Sequence, residues 1–148
     1  MIFLDANILL RTLVEPADSA ARRLQGIASA LLRQVGRGEI EVTTSDAILA
    51  EVAFILTARA HYQLAPSVAA DLMSPIVQLR GFRHPDKRAI LHALELWASV
   101  PRLGFVDALT AAYAQASGMR LATFDDDFDG IPGIDRWQPG ATIQGDGR

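Results

Sequence analysis

The first five residues, Met1-Ile2-Phe3-Leu4-Asp5, set four apolar side chains directly before an acid, and after Ala6 and Asn7 an apolar helical segment begins at Ile8. A strand that passes straight into a helix leaves no room for a hairpin. Its partner strand must come from a crossover connection, which in practice means a parallel neighbour reached by a right-handed path. The same arrangement recurs near the other end, where Met119 to Phe124 reads as a strand delivered directly into Asp125. Short apolar strands alternating with helices predict an α/β fold with three layers, α/β/α, around a short, mainly parallel sheet. In that architecture, functional sites gather at the carboxyl ends of the strands.

Between these two strands the chain is mostly helical in pattern. Asp18 or Ser19 can cap a helix whose apolar stripe is Ala20, Leu24, Ile27, Leu31 and Val35, with Gly36 and Gly38 ending it. Ile40 and Val42 alternate as a short strand, and Ser45 can cap a helix through Ile48, Leu49, Val52, Ala53 and Leu56, with Glu51 in its second turn. Pro66 opens a helix over Val68 to Ile76, with Pro75 near its end, and a strand is expected around Val77 to Phe82. Asp86 can cap a helix with Ile90, Leu91, Leu94, Trp97 and Ala98 on one face. After Pro101 and Gly104 another runs from about Val106 to Ser117, with Asp107 in its first turn and Gly118 as its stop. Past Gly133, Ala141 to Gln144 reads as a closing strand. No repeat or linker divides the chain, so residues 1–148 are expected to form one domain.

Composition narrows the chemistry. The absence of cysteine excludes a disulfide scaffold, a thiolate zinc site and a cysteine nucleophile. No uninterrupted run of about 18 apolar residues offers a membrane span, and Asp5 interrupts the apolar start that a signal peptide would need. A cytoplasmic protein without a membrane partner is the expectation. Charge is uneven: residues 1–120 hold 12 Lys and Arg against 11 Asp and Glu, whereas residues 121–148 hold 2 against 6. The acid is therefore concentrated after the last core strand.

Asp5 and Asp125 stand at strand ends, and Asp107 and Glu51 stand in early helical turns that leave the same kind of edge. Taken singly, Asp5 and Asp107 read most simply as helix caps. Taken together they do not, because like charges at 4 Å repel by about 4 kcal/mol at an effective dielectric of 20, and a cluster needs a cation or protons. Oxygen donors without cysteine or clustered histidine select a hard ion, Mg²⁺ or Mn²⁺, and such an ion suits phosphodiester chemistry.

The segments Asp5-Ala6-Asn7-Ile8-Leu9, Glu51 in the middle helix, Phe105-Val106-Asp107-Ala108-Leu109 and Leu121-Ala122-Thr123-Phe124-Asp125 resemble, in order and spacing, the PIN-domain ribonucleases, in particular the VapC toxins of bacterial toxin and antitoxin pairs. The likeness spans about residues 1–130. It implies a PIN-like fold and a Mg²⁺- or Mn²⁺-dependent endoribonuclease with Asp5, Glu51, Asp107 and Asp125 as its acidic set, Asp5, Asp107 and Asp125 holding the metal. It also implies supporting roles for Asn7 and Thr123, an RNA substrate, and a VapB-type antitoxin as partner. At residue 126, where many relatives carry a basic side chain, this chain has Asp126, so Asp125, Asp127 and Asp129 all remain candidates to complete the site.

Competing readings are a catalytically inactive PIN-like module that binds RNA or protein, and a PIN nuclease acting on DNA. A calcium loop starting at Asp125 fails because its twelfth position is Arg136 rather than a bidentate acid. The helices over 19–35 and 46–60 carry more apolar residues than one buried stripe requires, Leu32, Phe54 and Ile55 among them, which implies an antitoxin groove or a homodimer face.

Overall fold

The computed structural model describes residues 1–140; the expected strand at Ala141 to Gln144 lies outside them. In chain order the elements are β1 (Ile2–Phe3), α1 (Ala6–Leu13), α2 (Ser19–Arg37), β2 (Val42–Thr43), α3 (Asp46–Thr57), α4 (Pro66–Gln78), α5 (Lys87–Ser99), α6 (Phe105–Ser117), β3 (Leu121–Ala122) and β4 (Arg136–Trp137), with a single 3₁₀ turn at Asp126–Phe128 before β4. All pairings are parallel. β1 lies on β2 with Ile2 opposite Val42 and Phe3 opposite Thr43, and β3 lies on β4 with Leu121 opposite Arg136 and Ala122 opposite Trp137. Phe82 adds a parallel bridge on the far side of Val42, which makes β2 the central strand of the first sheet. Among the described residues, six helices around short parallel strands give the α/β class anticipated from the pattern and the PIN-like layering that the resemblance implies. Among the described residues no helix is long and apolar enough to cross a membrane.

Local chemistry accounts for the helix ends. The Asp18 carboxylate accepts from the Ala21 amide at 2.7 Å, satisfying one orphan donor of α2, and Gly38 closes that helix at φ 76°, where a side chain would be strained. Ser45 accepts from the Ile48 amide at 3.2 Å at the start of α3. Asp86 occupies the cap position of α5 as expected but makes no cap hydrogen bond. Gly81 is required for another reason. Its amide donates to Val35 O at 2.9 Å and its carbonyl accepts from the Val42 amide at 2.9 Å, so a Cβ there would run into the carbonyl of Ile40 and lie 2.8 Å from that of Val35.

The core runs through all six helices. α5 buries Ile90, Ala93, Leu94 and Trp97 against α4 and α6, and the edge of Trp97 meets the Phe105 ring at 5.4 Å and 73°. α6 answers with Ala108, Ala111 and Ala112, whose small side chains let the two helices approach closely.

Three expectations need correction. In α2 the buried positions are Ala21, Ala28 and Val35, small residues facing α1, while Leu24 and Ile27 from the expected stripe are exposed. The strand expected at Val77 to Phe82 shrinks to the Phe82 bridge, because Val77 continues the buried face Ala69, Ala70 and Met73 and keeps α4 helical to Gln78. Pro75 is tolerated inside that helix on its solvent side. In β1, Ile2 and Phe3 are exposed rather than buried, since β2 is that strand's single partner among the described residues; burial starts at Leu4. β4 had no counterpart in the pattern.

Candidate active site

Asp5 follows β1 directly. The Leu4 amide donates to Thr43 O at 2.8 Å, and the buried Thr44 hydroxyl donates to Leu4 O at 2.8 Å, so the backbone leading into Asp5 is held from both sides by the end of β2. Asp5 occupies the cap position of α1, yet its carboxylate accepts no cap hydrogen bond. The ordinary structural role of an acid at this place is thus unfilled. Asn7, in the first turn of α1, is exposed.

Glu51 is exposed in the second turn of α3, and Asp107 is half-buried in the first turn of α6. α1 packs on α3, and α3 packs on α6, so the elements bearing Asp5, Glu51 and Asp107 form a continuous series. The start of α6 has Gly104 at its cap position and no side-chain cap, leaving amide donors and the positive end of the helix beside Asp107.

The fourth acid sits on a different scaffold. Past β3 the Thr123 hydroxyl accepts from the Asp125 amide at 3.0 Å, and Asp125 Oδ1 accepts from the Asp127 amide at 2.9 Å. The local bonds wind the chain so that carboxylate oxygens of Asp125, Asp126 and Asp127 all lie within 4.8 Å of one another. Among the described residues no trio drawn from Asp5, Glu51, Asp107 and Asp125 is as close. Arg102 fastens this loop from outside, donating to the carbonyls of Asp127 and Asp129 at 2.7 Å each. The Asp129 carboxylate is taken in a two-pronged pair by Arg136 at 2.6 and 3.1 Å. Of the three acids left open by the sequence, Asp129 is therefore already engaged, whereas Asp125 retains Oδ2.

A polar cluster that sequence reasoning missed lies at the start of α3. The Tyr113 hydroxyl donates to Asp46 Oδ2 at 2.7 Å and sits 3.4 Å from Asp86 Oδ2, while His84 Nε2 is 3.3 Å from Asp46 Oδ1 without an aligned hydrogen bond. Burial first, and then the Asp46 carboxylate, push the Tyr113 phenol well above the ordinary tyrosine range. The available signal was Asp46 itself, an acid just past a strand, like Asp5. Nearby, burial and the charge of Arg83 lower the pKa of Lys87, whose ammonium donates to the carbonyls of Leu79 and Phe82.

The donor set fits a hard divalent cation: carboxylate oxygens on strand and helix ends, one of them in a cap position without a cap bond. A cleft of about 540 Å³ between α5 and α6, with Asp86, Arg88 and His92 on its rim, holds none of the four motif acids. Asp107 instead lines a smaller groove of about 260 Å³ between α3 and α6.

A search of curated proteins finds no match for this chain. The sequence profile of the PIN domain matches residues 2–134, from β1 to just short of β4, and includes all four acids. PIN domains are generally nucleases, commonly metal-dependent. The match covers most of the chain and agrees with the observed fold, and the chain belongs to the PIN domain family.

Proposed function

We propose that this protein is a Mg²⁺- or Mn²⁺-dependent endoribonuclease and the toxin of a VapBC-type pair. The observation that carries the reading is Asp5: an acid at the carboxyl end of a parallel strand, fixed by Thr44 through Leu4, with a carboxylate its helix does not use. Asp5, Asp107 and Asp125 would hold the ion, with Glu51 completing the negative set. When bound, the ion supplies a nucleophilic hydroxide and neutralises charge developing on the phosphodiester. Thr123 and the Asp127 amide orient Asp125 through bonds of 3.0 and 2.9 Å, so Thr123 and Asp127 act by positioning rather than by contact. Asn7, exposed two residues after Asp5, would steady the substrate phosphate.

Exposed apolar residues support the partner reading. Leu24 and Ile27, 41% and 58% exposed on α2, leave an apolar strip that a VapB-type antitoxin or a second copy would cover. An antitoxin side chain of Arg type would be drawn to the acids and would compete with the ion.

Cleavage of single-stranded RNA and of DNA of the same sequence, with Mn²⁺ and with excess chelator, tests the activity. RNA should be cut and chelation should stop it. Cleavage of DNA alone would establish the DNA nuclease instead, and binding without cleavage would establish the inactive module. Co-expression with the product of an adjacent small gene, followed by pull-down and cleavage assay, tests the toxin role. A tight complex with suppressed cleavage is the expected result.

A further inference from the structure

The groove beside Asp107 has a construction that the acids do not explain. Its buried lining includes Ala53 of α3 and Trp97, which packs in a T-shaped pair with the Phe105 ring. Its walls are the Phe54 ring and the Val106 side chain, which remain 66% and 59% exposed although large apolar residues are ordinarily covered. Phe54 stands one helical turn after Glu51 on the same side of α3, and Val106 immediately precedes Asp107. A largely apolar slot with an aromatic wall thus lies against Asp107, an acid of the proposed phosphodiester site.

A volume of about 260 Å³ falls below the range of about 300–1,000 Å³ typical of pockets for drug-sized ligands. It is too small for a partner helix and suited to one flat ring. Because Asp107 lines the slot, a nucleic-acid strand with its phosphate at Asp107 would bring a neighbouring unpaired base to it. We propose that Phe54 is a base-stacking platform that receives the unpaired nucleotide next to the scissile phosphate, with Val106 as the opposing wall. This rests on the endoribonuclease reading and extends it by naming the side chain against which the base flanking the cut stacks. The slot favours stacking over edge readout, so it selects an unpaired base without demanding its identity.

The test crosses a change in the protein with a change in the RNA. Oligoribonucleotides carrying one abasic site at successive positions are cleaved with Mn²⁺ by wild type, Phe54→Ala, Phe54→Leu and Phe54→Trp. At one position beside the cut, losing the base should lower kcat/KM of wild type and Phe54→Trp about tenfold, and should lower it no further in Phe54→Ala or Phe54→Leu. Leucine would rescue a packing role but not a stacking one. Equal sensitivity of wild type and Phe54→Ala at every position overturns the proposal. Quenching of 2-aminopurine at that position, read with Ca²⁺ in place of Mn²⁺, reports stacking without cleavage. If wild type cuts no RNA, the nuclease reading fails while the quench still decides the groove. If Phe54→Ala converts a dimer to a monomer and leaves the quench unchanged, the groove is a protein interface and the proposal is wrong.

Discussion

The acids stand on two unlike supports. Asp5 continues a strand whose next residue inward, Leu4, is 1% exposed, and Thr44, the one buried polar side chain among the described residues, holds its backbone. Asp125 stands in a loop held by exposed cap bonds, by Arg102 reaching over its carbonyls and by the Arg136 pair with Asp129. The first support is built into the core, whereas the second is fastened by polar bonds at the surface, with Phe128 and Ile131 as its buried anchors. The proposed site would thus have a fixed half and a half fastened mainly at the surface, and the close trio at Asp125, Asp126 and Asp127 belongs to the second.

Damage to the two supports should therefore show in different observables. Leu4→Ala empties a fully buried position and should cost about 2–5 kcal/mol in a denaturant melt. Thr44→Val keeps the shape but leaves the Leu4 carbonyl without its donor, costing about 1–3 kcal/mol. On the other side, Arg136→Ala removes a surface pair worth about 1 kcal/mol or less, yet should lower cleavage more than stability because it frees Asp129 and slackens the loop. A melt in which Arg136→Ala is as damaging as Leu4→Ala would erase the distinction between the halves.

The same contrast explains what the sequence could tell. The placement of Asp5, Glu51, Asp107 and Asp125 at strand ends and in early helical turns was legible because such positions are set by local patterns of apolar residues and caps. The three-layer class followed from the alternation itself. Leu24 and Ile27 were misplaced because helical spacing identifies a stripe but not which neighbour fills it, and here the alanines of α2 lie against α1. β4 was hidden because Arg136 and Trp137 carry no alternating pattern, and their strand character comes from pairing with Leu121 and Ala122. The Tyr113, Asp46 and His84 cluster joins residues distant in the chain, a juxtaposition only the fold creates.

That cluster also belongs to the fixed half and supplies a smaller, pH-dependent test. The Tyr113 proton is held more tightly in the fold than in the unfolded chain, where tyrosine titrates near about 10. A raised folded value contributes stability that is fully present below about pH 10 and is lost as pH rises toward the folded value. The stability difference between wild type and Tyr113→Phe should be flat from pH 7 to about 9 and shift against wild type above about 10. A flat difference up to pH 12 would mean that burial and the Asp46 carboxylate do not keep the phenol protonated.

The central claim is that Asp5 and Asp125 serve one metal-dependent site from these two supports. Mn²⁺ titrations of wild type, Asp5→Asn and Asp125→Asn, followed by thermal shift and by RNA cleavage on the same samples, test it most directly. Each variant should fold, lose cleavage by about two to three orders of magnitude and gain less stability from Mn²⁺ than wild type does. Full cleavage by Asp5→Asn, or equal Mn²⁺ stabilisation of all three proteins, would contradict it.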